Sequence, residues 1–129
     1  MTYMRVSAAV WVASFTALAG ACETPADCIL SPGVAVEVVV RDSVTGAPAA
    51  DGALGTLEFG GEEIPLVLGG TDIHGAPLVL AGGSQPGRYS VRIEKPGYEN
   101  WAQPTLRVES NDCGLLTERL EARLQPAGS

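Results

Sequence analysis

Glycine and proline interrupt this chain too often for a helix bundle. There are 16 Gly and 9 Pro in 129 residues, and from Gly33 onward they divide the sequence into short runs rich in Val, Leu, Ile and Tyr. That punctuation suits a turn-rich β protein. The clearest run is Gly33 to Asp42, where Val34, Val36, Val38 and Val40 alternate with Ala35, Glu37, Val39 and Arg41. A period of two in β-branched residues predicts a half-buried strand. Asp42-Ser43-Val44-Thr45-Gly46-Ala47-Pro48 then predicts a turn, since Asp and Ser bond nearby amides and Gly46 tolerates a positive φ.

Further strands are expected at Ala53 to Phe59, Ile64 to Leu68, Leu78 to Ala81, Arg88 to Lys95 and Thr105 to Glu109. Pro65 assigns the third of the six to an edge or a strand start. In the fifth, Tyr89, Val91 and Ile93 face inward and Arg88, Ser90, Arg92 and Glu94 outward. Leu115 to Leu124 is ambiguous. Leu116, Leu120 and Leu124 share a helix face, but with Glu118 and Ala122 they also share one face of a strand. Local propensity favours helix. About seven short strands separated by turns indicate an antiparallel β-sandwich.

The N-terminus is of another character. Arg5 precedes an apolar run, Val6 to Leu18, that carries no charge. The run is shorter than the roughly 20 residues that cross a bilayer as a helix and fits the apolar part of a secretory signal. Met4 is a second candidate start. Leu18-Ala19-Gly20-Ala21-Cys22 resembles the lipobox of bacterial lipoproteins. The resemblance implies a signal peptide over 1–21, cleavage before Cys22, and acylation of the Cys22 thiol by diacylglycerol, with a further acyl chain such as palmitate on the new amino terminus. The alternative is an ordinary signal cut near Ala19 or Ala21, with Cys22 left as a thiol. Two or more acyl chains anchor stably where one does not. Residues 22–32, with Pro25 and Pro32, form a short tether. The expected location is the bacterial cell envelope, on the periplasmic or extracellular face of a membrane.

Charge and cysteine count narrow the partners. The net charge is −7, and without Arg5 the remaining 7 basic and 15 acidic side chains leave −8. Nucleic-acid binding draws on clustered Lys and Arg, so no nucleic-acid partner is expected, and the domain should stand off an anionic lipid surface. The expected partners are the bilayer, through Cys22, and an envelope protein or glycan. Three cysteines are an odd number. With Cys22 lipidated, Cys28 and Cys113 remain as a pair in an oxidising compartment. Two unpaired buried thiols are the alternative. A zinc site is disfavoured, because two Cys and one His far apart in sequence lack ligand spacing.

Three stretches resemble one family. Val36 to Pro48 is similar to an opening strand followed by a D-x-x-T-G-x-P turn. Gly87 to Tyr98 is similar to a G-x-Y-x-V strand closed by K-x-G-Y. Asp112-Cys113-Gly114 with Leu115 to Leu124 is similar to a final Cys-containing strand. Together they resemble the carboxypeptidase regulatory-like domain, over 33–126, with 127–129 as a tail. The resemblance implies an all-β, seven-stranded antiparallel transthyretin-like Greek-key sandwich, a strand at Leu115 to Leu124, and a non-catalytic spacer, stability or interaction role. The alternative is a transthyretin-like hydrolase acting on a small molecule. That sister family uses several His and Arg residues and a Tyr-Arg-Gly-Ser ending, whereas this chain has one His and ends Gln125-Pro126-Ala127-Gly128-Ser129.

Few residues suggest chemistry. His74, the only histidine, could act with Asp72 as a base or metal ligand, but no nucleophile motif accompanies it. Glu62, Glu63 and Asp72 lack the spacing of a calcium loop. Tyr98 and Trp101 could form a stacking patch or simply pack on the sandwich end. Lys95, the only lysine, could enter an isopeptide bond but alternates outward against Ile93. No catalytic residue, cofactor or metal is assigned.

Overall fold

A computed structural model describes residues 33–128. The expected signal peptide, Cys22, the tether and Cys28 lie outside these residues. Among the described residues nine strands form two sheets: β1 (Val36–Asp42), β2 (Leu54–Phe59), β3 (Glu62–Pro65), β4 (Val67–Thr71), β5 (Pro77–Gly82), β6 (Gly87–Glu94), β7 (Trp101–Asn111), β8 (Gly114–Leu116) and β9 (Glu118–Leu124). One sheet has the order β4-β5-β1-β9 and the other β3-β2-β6-β7-β8.

The period-two runs set the core. Val36, Val38 and Val40 of β1 are fully buried, as are Leu57 of β2 and Ile93 of β6, and Val91, Val108 and Leu124 join them. Their alternate neighbours Glu37, Arg41, Arg92 and Arg107 form surface ion pairs instead. Phe59 stacks on buried Tyr89, with ring centroids 4.7 Å apart. Burying such aliphatic and aromatic side chains is the main favourable term in folding a domain of this kind.

Two of the expected strands are each divided at one residue, which makes nine strands rather than seven. Ile64 to Leu68 is cut at Leu66, where the chain leaves the five-stranded sheet and joins the other. The Leu66 amide donates to the Gly55 carbonyl, and its side chain is buried over two glycines. A Cβ on Gly55 would stand 2.6 Å from Leu66 Cδ1, and one on Gly82 2.9 Å from Leu66 Cδ2. A side chain at either position would push Leu66 out of this corner packing. Pro65 ends β3, an edge strand, where its missing N–H costs no ladder bond.

Leu115 to Leu124 is cut in the same way at Thr117. The Thr117 hydroxyl donates to the Val34 carbonyl at 2.7 Å, and the Glu118 amide donates to the Ala35 carbonyl. The local helix preference is overridden because a strand here satisfies both faces. Ala122 and Leu124 are buried, while Arg119 pairs with Glu37 at 3.1 Å and Glu121 with Arg41 at 3.7 Å.

The sandwich is not antiparallel throughout. β9 runs parallel to β1 over seven register pairs, from Val36↔Glu118 to Asp42↔Leu124. A hairpin would have forced the opposite direction, but β9 arrives from the other sheet through the Thr117 corner and so is free to run parallel. β7 is also longer than expected. Its pairing with β6 shifts between Tyr89 and Val91, an irregularity that accommodates Pro104 inside the strand.

Candidate functional site

The most connected polar group lies where β1 ends. The Asp42 carboxylate accepts the Val44 amide at 2.7 Å and the Thr45 amide at 2.9 Å through Oδ1. Its backbone closes the same turn with Gly46 and Ala47, and Gly46 takes a φ of 76°. The other oxygen, Oδ2, accepts the Tyr98 hydroxyl at 2.6 Å. Tyr98 is brought there by the Lys95-Pro96-Gly97 turn, in which its amide donates to the Lys95 carbonyl. Lys95 Nζ donates to the Ala49 carbonyl at 3.0 Å and sits 5.5 Å from the Tyr98 ring centroid, within reach of a cation–π attraction. The C-terminal segment closes over this end, with Glu99 donating to Gln125 and Ala127 to Gly97.

Electrostatics follow from these bonds. The Tyr98 hydroxyl first, then the Thr45 and Val44 amides, hold the Asp42 carboxyl below its ordinary 3.8. Donating to Asp42 raises the Tyr98 phenol above its ordinary 10.0, and burial and the Asp42 charge act in the same direction. Asp42 therefore adds stability above pH 3.8 that is lost as pH falls through its lowered value. Tyr98 adds stability below pH 10.0 that is lost as pH rises through its raised value. Tyr98→Phe is expected to lower the melting temperature between those limits, with the gap to the unsubstituted protein closing at both ends. Thermal unfolding followed across pH checks this; a gap that does not change with pH would show that the hydroxyl contributes only by packing.

The other candidate residues do not converge. Asp72 Oδ1 accepts the His74 amide at 2.9 Å and the Ala76 amide at 2.8 Å. The Ala76 amide, ahead of the His74 amide, holds its carboxyl below 3.8 against the opposing effect of burial. Asp72 thus shapes the β4–β5 turn, and His74 is exposed on it. Glu62 and Glu63 lie on β3 in the other sheet, with Glu63 3.9 Å from Arg92. Among the described residues no three His, Cys, Asp or Glu side chains gather as a metal-binding group. Trp101 starts β7 opposite Ile93 and packs half-buried on the core, while the Tyr98 hydroxyl is committed to Asp42. Cys113 is half-buried in the β7–β8 turn, where its amide donates to Asn111 Oδ1 at 2.8 Å.

Sequence reasoning missed two features. The Asp42–Tyr98 bond joins residues 56 apart in the chain; Asp42 and Tyr98 were visible only as parts of separate turn motifs. The second is an open depression of about 520 Å³ lined by Phe59, Glu62, Ile64, Ser84, Gln85 and Tyr89, among others. The Tyr89 hydroxyl beneath it donates to the Gln85 carbonyl at 2.6 Å and accepts the Gln85 amide. Its signal in the sequence was the glycines around the Ser84-Gln85-Pro86 loop. Gly87 has a φ of 140°, and a Cβ there would stand 2.6 Å from Phe59 Cε1.

No protein-family model and no curated protein matches the chain.

Proposed function

We propose that this protein is a membrane-anchored, non-catalytic binding or structural module of the bacterial cell envelope. The observation that carries the non-catalytic part is where its polar side chains are spent. Asp42, Asp72, Tyr89, Tyr98 and Lys95 are each bonded to loop backbone or to one another. Groups held in this way order the loops, whereas catalysis requires a positioned base or nucleophile facing a substrate. The alternative small-molecule hydrolase would need His74 joined to an Arg and an acid in a cleft. His74 instead sits exposed on a turn whose acid, Asp72, is occupied by backbone amides.

The anchoring part rests on the sequence, on the apolar run ending in Leu18-Ala19-Gly20-Ala21-Cys22. The family reading, a carboxypeptidase regulatory-like domain of transthyretin type, has two supports. Counting β3 with β4 and β8 with β9 as single strands that change sheets gives seven. The Asp42–Tyr98 bond also ties the first of the three motif stretches to the second. The proposed Cys28–Cys113 disulfide would tie the tether to the third. Its supports are that Cys113 is disulfide-bonded, that Cys22 and Cys28 are the other cysteines, and that Cys22 is assigned to lipid.

Cell fractionation with metabolic palmitate labelling tests the anchor. The unsubstituted protein is expected in the membrane fraction and labelled, and Cys22→Ser unlabelled and soluble. A Cys22→Ser protein that stays with the membrane would overturn the reading.

A further inference from the structure

The depression over Phe59 and Tyr89 has a rigid apolar floor. Phe59 is half-buried and stacked on Tyr89, and Ile64 is half-buried in the same lining. The ring pair is fixed in place. Both the amide and the carbonyl of Gln85 hold the Tyr89 hydroxyl. Gly87 leaves the room that Phe59 occupies, since a Cβ there would stand 2.6 Å from Phe59 Cε1. A floor that is already ordered loses little conformational freedom when a ligand settles on it.

The rim is polar and its side chains are unspent. Glu62, Ser84 and Gln85 are exposed there, and none of the three side chains has a hydrogen bond or ion pair among the described residues. Glu63, next in the chain, differs in facing Arg92. The three offer a carboxylate that accepts, a hydroxyl that does both, and an amide that donates and accepts. An apolar floor with a few convergent polar groups is the usual make-up of a small-ligand site. A volume of about 520 Å³ falls in the usual range for one.

The chemistry of the rim selects the ligand. Among the described residues lining the depression, Glu62 carries the only charge and there is no Lys, Arg or His. A phosphate or carboxylate would therefore meet repulsion without a partner. A cationic ligand would pair with Glu62 but, offering donors alone, would leave the Gln85 amide N–H groups without an acceptor. A sugar ring meets both demands. Its C–H face is apolar and lies on the aromatic floor, and each hydroxyl at its edge both donates and accepts. The depression is open, so it admits one ring of a longer chain. From this we infer that it holds a pyranose unit of a neutral glycan, packed against Phe59 and bonded through its hydroxyls to Glu62, Ser84 and Gln85. The inference names a ligand class for the binding module proposed above and rests on that reading.

The test uses the full chain, extracted from membranes in a detergent without a sugar headgroup. The probes are tetra-N-acetylglucosamine and maltotetraose, which are neutral, and choline, which is cationic, each at millimolar concentration and physiological salt. Saturation-transfer NMR is expected to show the aromatic protons of the protein passing magnetisation to the ring protons of at least one sugar, and none to choline. Glu62→Gln should weaken sugar binding about tenfold, the loss of one charge-assisted hydrogen bond, and Gln85→Ala should weaken it as well. Both residues are exposed, so circular dichroism should not change. Glu109→Gln on β7 should bind as the unsubstituted protein does. Transfer to neither sugar, transfer to choline alone, or sugar binding that neither Glu62→Gln nor Gln85→Ala alters would each overturn the inference. If no sugar binds while the protein stays palmitate-labelled in the membrane, this inference fails and the anchored-module reading stands. Sugars that bind and are shortened on incubation would overturn the non-catalytic reading and leave this one standing.

Discussion

Reducing the proposed Cys28–Cys113 disulfide is expected to lower the free energy of unfolding by up to about 4–5 kcal/mol. With Cys28 as the partner, the closed loop spans about 85 residues, and the figure is the chain entropy that such a loop removes from the unfolded state. Against a total of roughly 5–15 kcal/mol for a domain of this size, that is a large share. Val34, two residues after the tether, lies close to this part of the chain. The Thr117 hydroxyl holds the Val34 carbonyl, and Cys113 lies four residues before Thr117 in the turn leading into β8. Reduction should therefore lower the melting temperature while leaving the β-sheet circular dichroism intact at low temperature. Peptide mapping without reductant identifies the partner. Cys28 and Cys113 peptides recovered unlinked from oxidised protein would exclude the pairing.

Leu57→Ala should be comparably damaging. Leu57 is fully buried at the centre of β2, opposite Val91 in the ladder with β6. Truncating its isobutyl side chain to a methyl loses burial and leaves a cavity that closely packed neighbours only partly fill, at a cost of about 2–5 kcal/mol. For about 100 residues this is a fall in melting temperature of roughly 10 °C or more. Leu54→Ala, three residues earlier and 63% exposed, should change stability by no more than about 0.5 kcal/mol. Equal losses at the two positions in thermal or urea unfolding would mean that β2 does not present Leu57 to the core.

Much of the strand content was legible because it is written in short range. The alternation in Val36 to Val40 and in Tyr89 to Ile93 states which side chains face inward, and burial follows it residue by residue. The glycine and proline clusters marked the turns, since a positive φ at Gly46 or Gly97 is a local requirement. Of the candidate residues, the positions of Asp42 and Asp72 in turns were readable for the same reason: an Asp side chain that bonds amides two to four residues on is a local interaction.

The strand-rich character, the inward faces of the main strands and the composition of the turns follow from local patterns in the chain. The apolar run before Cys22 and the odd cysteine count likewise frame the envelope reading without any tertiary information. Long-range contacts set which sheet each strand joins, that the chain turns between sheets at Leu66 and Thr117, and that β9 lies parallel to β1. The reason is the range of the interactions. A period of two records only that one face is buried, and it is identical for a strand in either sheet and in either direction. The Leu66 corner depends on the space over Gly55 and Gly82, and the Thr117 corner on a carbonyl 83 residues away in the chain. Tyr98 meets Asp42 only after β1 and β6 have been placed in opposite sheets with their ends together. No local pattern encodes those distances, so the helix-like run of Leu115 to Leu124 became two strands because the ladders that β7 offers to β8 and β1 offers to β9 outweigh its own propensity.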